Sequence, residues 1–302
     1  MDGLLQKDKL TVTFGPWFGE LGHELYKYNC YLRGYFAQNK FLKVIALCRK
    51  GRGILYEDFA DEVVELECSG EISCRHKCRS IKEPEIKNAQ DALNKIKPDY
   101  HIYTKGSYFI NYANQINLPP LKNISPMFNI LGEVKEDLKY DFVVHARNLI
   151  KEPRKGYKLD TLRNWELEKW NQLISKFDNL KIACVGSLES SLIVEGCDDH
   201  RGKDLKFLAD ILRSSGLIVG PSSGPMHFAS LCDCALAVWD NCKSQRRYTK
   251  SWNPFRSKVH YYNNTPLEND PYKPAYYKKK TFTHSPPVDN IYDLVKGALD
   301  DK

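Results

Sequence analysis

Three short segments carry residues suited to anion binding or proton transfer. The first is Gly220-Pro-Ser-Ser-Gly-Pro-Met-His227. Pro225 fits the first position of a helix, where a missing N–H costs nothing. The next amides, Met226 and His227, then point out of the helix start. Gly224 lets a ligand approach the backbone, and Ser222 and Ser223 add hydroxyl donors. Such a start favours an anion; the plain alternative is a capped helix with no ligand. The second segment is His145-Ala-Arg147. An arginine fork matches phosphate oxygens two at a time; the alternative is a solvated loop arginine beside a hydrogen-bonded histidine. Arg154, Lys155 and Arg163 extend the positive wall or form ordinary basic surface. The third segment, Gly15-Pro-Trp-Phe-Gly-Glu-Leu-Gly-His-Glu24, sets His23 between the carboxylates of Glu20 and Glu24. A carboxylate there can take a proton from an attacking hydroxyl, or simply complement a helix start.

The elements that must position these groups alternate between strand and helix. Leu10–Phe14 reads as a strand, followed by the glycine-rich turn and a helix with Leu25, Tyr28, Leu32, Tyr35 and Phe36 on one face. Leu42–Cys48 is a nearly continuous apolar strand, the pattern of a sheet covered on both faces. Val63–Leu66 and His101–Tyr103 are further strand candidates, and Leu118-Pro-Pro-Leu-Lys122 opens a linker. The boundary is placed near residue 135, giving domains 1–135 and 136–302. In the second half, Asp141–His145, Lys181–Gly186, Leu217–Gly220 and Ala235–Trp239 read as strands. Helices fall around Trp170–Phe177, Leu205–Leu212 and Pro225–Cys232, the second with Asp204 as N-cap and Gly216 as its C-terminal glycine. Such repetition implies parallel sheets with right-handed crossovers. Ligands then sit outside the carboxyl ends of the strands.

With 302 residues, 42% of them hydrophobic and 27% charged, the chain is an ordinary globular protein with room for two domains. No apolar run reaches membrane-spanning length, and the first residues lack the charged and apolar regions of a secretory leader. The net charge of +7 suits phosphate-bearing ligands without marking a nucleic-acid binder. Ten cysteines, among them Cys48 and Cys184 inside apolar runs, read as reduced thiols and place the protein in the cytoplasm. Cys68, Cys74, His76 and Cys78 offer zinc ligands but lack the paired C-x2-C spacing, so a free-thiol loop is expected. Arg246–Phe255 is basic and aromatic, able to stack a nucleotide base or to serve as a surface loop. The basic stretch Tyr276–Lys280 is a solvated tail by default, with lipid head groups or nucleic acid as the alternative contacts. Trp165 and Trp170 are expected in helix packing.

From His200-Arg-Gly-Lys203 through Leu217–Ser230 to Ala235-Leu-Ala-Val-Trp239, the chain resembles the heptosyltransferase family. That family's signature runs from a Gly-Lys-Thr-like start to Asp-Ser/Thr-Gly-Pro-Met-His; its acidic residue is Ser222 here, and outside this stretch only the order of elements agrees. The resemblance implies a GT-B-like α/β fold, two Rossmann-like domains with parallel sheets facing a central cleft. It implies that Ser223, Gly224, Pro225, Met226 and His227 contact the diphosphate of a nucleotide-sugar donor, beside Ser222 and Lys203. It also implies an acidic base in the first N-terminal loop without singling out the residue; Glu20, which lies in the loop itself, is the first choice, Glu24 is one helical turn on, and His23 lies between them. His145-Ala-Arg147 resembles the His-x-Arg motif of GDP-fucose-dependent fucosyltransferases, whose arginine binds the donor phosphate, although their downstream acidic residue is missing from Asn148-Leu-Ile-Lys-Glu152. The expectation is an inverting glycosyltransferase of the Leloir type, acting on a glycan, lipid-linked glycan or other hydroxyl, with no cofactor and no essential metal. Its N-terminal domain handles the acceptor and its C-terminal domain the nucleotide sugar. The last helix, Val288–Leu299, is expected to pack back on the N-terminal domain. The rivals are a GDP-fucose-type enzyme and a protein that binds or glycosylates nucleic acid.

Overall fold

The computed structural model describes residues 9–19, 21–67, 83–103, 115–117, 123–148, 163–240, 245–263 and 285–301. The chain divides into two compact units, Met1–Asn129 and Ile130–Lys302, against a sequence expectation near residue 135.

The N-terminal unit holds a five-stranded sheet in the order β3-β2-β1-β4-β5. Its strands are β1 (Thr11–Phe14), β2 (Lys43–Arg49), β3 (Glu62–Leu66), β4 (Tyr100–Tyr103) and β5 (Gln115–Asn117), and every pairing is parallel. The apolar run of β2 is buried from Val44 to Cys48, as a strand covered on both faces requires. After β1 come α1 (Leu21–Glu24), a π-helical turn (Leu25–Asn29) and α2 (Cys30–Gln38). They bury Leu25, Tyr28, Leu32 and Phe36 of the expected face. A helix α3 (Glu83–Ile96) returns the chain to β4 and packs Ala89 and Leu93 with Leu47 and Leu66.

The C-terminal unit holds a six-stranded sheet, β11-β10-β9-β6-β7-β8. The strands are β6 (Phe142–Val144), β7 (Ile182–Cys184), β8 (Asp198–Asp199), β9 (Leu217–Pro221), β10 (Ala235–Asp240) and β11 (Val259–Asn263). All pairings are parallel. The chain winds outward from β6 in both directions, so β6 and β9 are neighbours at the point where the strand order reverses. In sheets of this kind that is where ligands bind. The helices are α4 (Leu167–Ile174), α5 (Leu205–Ser215), α6 (Gly224–Ala229) and α7 (Val288–Asp300). Asp204 caps α5 by accepting the Phe207 amide at 2.8 Å, and Gly216 ends it at φ 72°.

Trp165, Trp170 and Trp239 meet edge to face or tilted, with centroids 5.0–5.5 Å apart. They form the centre of this unit's core, as packing rather than as a sugar platform. The last helix shares this core. Ile291, Val295 and Ala298 of α7 are buried in this same cluster, and the Trp165 indole donates to the Pro286 carbonyl at 3.0 Å. The helix completes the C-terminal unit's own core.

Candidate functional site

His145 follows β6, and its amide donates to the Val219 carbonyl of β9 at 2.9 Å, extending the parallel pairing by one step. Its ring packs over Gly186, where a Cβ would lie 2.8 Å from His145 Cδ2. Its Nδ1 is 2.8 Å from Ser223 Oγ. This bond joins the two anion-binding segments, which are far apart in sequence. His145 is 4% exposed. Burial, with Arg147 and Arg163 adding to it, lowers its pKa to about 3, so the imidazole is neutral at physiological pH.

Arg147 is 5% exposed and donates to the Asn164 side-chain oxygen at 2.6 Å. Its backbone forms an antiparallel bridge to Ser191. Arg163 donates to the Ser222 carbonyl at 2.6 Å. The sequence left Arg163 as part of a positive wall or of an ordinary basic surface; the fold brings it onto the turn itself.

The turn has two sides. Ser222 is 1% exposed, its amide donates to the Trp239 carbonyl at 3.1 Å, and its hydroxyl accepts from Tyr248 at 3.0 Å. The Met226 side chain is fully buried, and a Cβ on Gly220 would lie 3.2 Å from its sulfur. Both side chains therefore lie on the buried side of the turn. Two helix-start details change. α6 begins at Gly224, which puts Pro225 in the second position, and the His227 amide donates to the Ser223 carbonyl at 3.1 Å instead of pointing outward. The partly exposed rim of the turn is Gly224 and Pro225, next to Ser223.

The basic-aromatic segment is corrected too. It contains a π-helical turn, Arg247–Ser251. Tyr248, 2% exposed, stacks on the His227 ring at 4.4 Å, and Trp252 meets that ring edge-on at 4.7 Å. These rings are occupied in packing and offer no face to a base. Burial raises the Tyr248 pKa well above the ordinary phenol range, against the hydrogen bond to Ser222, so the hydroxyl stays protonated. No sequence signal marked Tyr248 as a partner of the turn, because the contact depends on the β10–β11 connection folding back.

Lys203 is exposed, its ammonium 5.9 Å from the centroid of the Phe207 ring. Its neighbour Gly202 donates to the Gly186 carbonyl at 2.7 Å, and Arg201 donates to the Ser191 carbonyl at 2.8 Å. The loop bearing Lys203 thus runs beside the His145–Arg147 segment.

In the N-terminal unit, Glu24 is 1% exposed, ion-paired with Arg52, and accepts the Tyr56 hydroxyl at 2.5 Å. Burial pushes its carboxyl upward against the pull of Arg52, Tyr56 and Arg49. The Glu24 carboxylate thus ties Arg52 and Tyr56 together inside the N-terminal unit, one partner at each oxygen. His23 is half-buried. Glu20, Arg154, Lys155, Cys68, Cys74, His76, Cys78 and the Tyr276–Lys280 stretch lie outside the described residues. Among the described residues, no cluster of three metal-ligating side chains occurs and no helix is long and apolar enough to cross a membrane; Cys48 and Cys184 are buried.

No protein-family model matches the chain, and no curated protein matches it significantly. Solved structures do. A glycosyltransferase family 9 protein from Veillonella parvula DSM 2008 superposes with a TM-score of 0.60 at 12% identity, over 99% of each chain. The ADP-heptose LPS heptosyltransferase II of E. coli gives 0.59 at 11% identity, over 97% of this chain and 99% of that one. The E. coli heptosyltransferase WaaC with ADP gives 0.55 at 10% identity, over 95% and 99%. The chain has the GT-B-like α/β fold of these heptosyltransferases.

Proposed function

We propose that this protein is a glycosyltransferase of the Leloir type, moving a sugar from a nucleotide-diphosphate donor to an acceptor hydroxyl with inversion. The observation that carries the reading is the 2.8 Å bond between His145 and Ser223. It joins an arginine-bearing strand end to a glycine-proline turn at the reversal point of a parallel sheet, with Arg163 bonded to the same turn. Support also comes from neighbours of the same fold whose structures hold ADP and an ADP-sugar analogue. In this reading Arg147 and Arg163 face the diphosphate, with Ser223, Gly224 and Pro225 as its cradle and Lys203 at the edge. Two guanidiniums stabilise the charge that grows on the leaving diphosphate, so turnover needs no divalent ion. The N-terminal unit supplies the acceptor and the base, for which Glu20 remains the candidate. The acceptor is a glycan, a lipid-linked glycan or another hydroxyl, and the setting is the cytoplasm.

A GDP-sugar donor is the second reading, favoured by Arg147 at the end of β6. The test is a thermal-shift panel of ADP, GDP and UDP with the matching nucleosides. A diphosphate should stabilise the chain by about 2.7 kcal/mol at a hundredfold excess over its dissociation constant, and the nucleosides should not. The responding base separates the two donors. Steeply salt-dependent nucleic-acid binding with no nucleotide response would overturn both.

A further inference from the structure

The resemblance places an acid before Ser/Thr-Gly, yet this chain buries a neutral serine there. A buried hydroxyl needs hydrogen-bond partners, and Ser222 receives one from outside the turn. Tyr248 Oη lies 3.0 Å from Ser222 Oγ and 3.4 Å from His227 Nε2, and the Ser223 amide also bonds to it. One phenol oxygen therefore touches three residues of the turn. With the Ser223 amide as its donor, the phenol uses its own proton on Ser222. Ring stacking on His227, with Trp252 closing the edge of that ring, leaves the phenol little freedom to move.

We propose that Tyr248 is a positioning residue for the diphosphate grip: its hydroxyl fixes Ser222, and so sets the backbone from which Ser223 and Gly224 meet the ligand. Tyr248 itself does not touch the donor. The inference rests on the reading of this site as a diphosphate site.

The experiment titrates ADP, GDP and UDP into the full chain and into Tyr248→Phe, Ser222→Ala and the double variant, by calorimetry. Phenylalanine keeps the ring stack and removes only the hydroxyl. Tyr248→Phe is expected to weaken diphosphate binding about five- to tenfold, the worth of one neutral hydrogen bond. Ser222→Ala should cost a similar factor. The double variant should bind no more weakly than the weaker single one, because both changes remove the same bond. Ser215→Ala removes a buried 3.3 Å bond to the Leu138 carbonyl at the end of α5; it should lower the melting temperature and leave affinity unchanged, as general destabilisation would. Wild-type affinity in Tyr248→Phe, or losses that multiply in the double variant, would overturn the inference while Arg147→Ala still reports on the site. If the wild-type chain binds none of the three diphosphates, the site reading falls and the inference with it.

Discussion

His145 is held neutral inside a protein that surrounds it with guanidinium charge, and this has a measurable cost in acid. Its pKa is about 3 in the folded chain against about 6.5 unfolded. Between those values the unfolded chain binds a proton that the folded chain refuses. Stability is therefore fully present above pH 6.5 and is lost as pH falls toward 3, by on the order of 5 kcal/mol for a shift of this size. His101, buried beside Thr13 in the N-terminal unit and lowered to about 4, acts in the same direction. Urea unfolding from pH 7 to pH 4 should show the decline, and His145→Gln should flatten it. An unchanged slope would mean that His145 is protonated in the fold. At this scale the sequence was partly legible. His145, Arg147 and Ser223 stood out because their types suit phosphate. Arg163 was legible only as basic charge and Tyr248 only as part of a basic-aromatic segment, since their bonds to the Ser222 carbonyl and hydroxyl exist only in the fold.

Element placement decides whether those side chains converge. The strands β1, β2, β6, β9 and β10 were readable because each is an apolar run closed by a turn or by glycine, and α5 because Asp204 and Gly216 mark its ends. β8 was not, because two exposed aspartates carry no apolar signal, and the π-helical turns were not, because they leave the apolar pattern nearly intact. Gly186 shows how an element sets the site. Its φ is 129°, and a Cβ there would lie 2.7 Å from Ser191 Oγ and 2.8 Å from His145 Cδ2. Gly186→Ala should cost about 1–3 kcal/mol and weaken diphosphate binding by displacing the His145 ring. Gly297→Ala in α7, where a Cβ meets nothing within 4 Å, should instead stabilise by about 0.4–1 kcal/mol. Chemical denaturation of the pair checks both signs, and equal effects would show that the ring is free to move.

At the scale of the whole molecule, the proposed function gives each unit its own task, and each task can be tested separately. Glu20→Gln keeps the side-chain shape and removes the carboxylate. It should lower turnover roughly 10²–10⁴-fold, the range of a positioned general base, while donor affinity, which the proposed function assigns to the C-terminal unit, should stay unchanged. Glu24→Gln should act differently, reducing stability by breaking the buried contacts with Arg52 and Tyr56. If Glu20→Gln turns over normally, the base is another group. Beneath all of this lies one claim, that the junction of His145, Arg147, Arg163 and the Ser223–Pro225 turn grips a diphosphate. Calorimetric titration of the full chain with a nucleoside diphosphate and with its nucleoside tests it most directly. The account predicts that the diphosphate binds at least about tenfold more tightly and that Arg147→Ala removes most of the difference; equal affinity for the two ligands would contradict it.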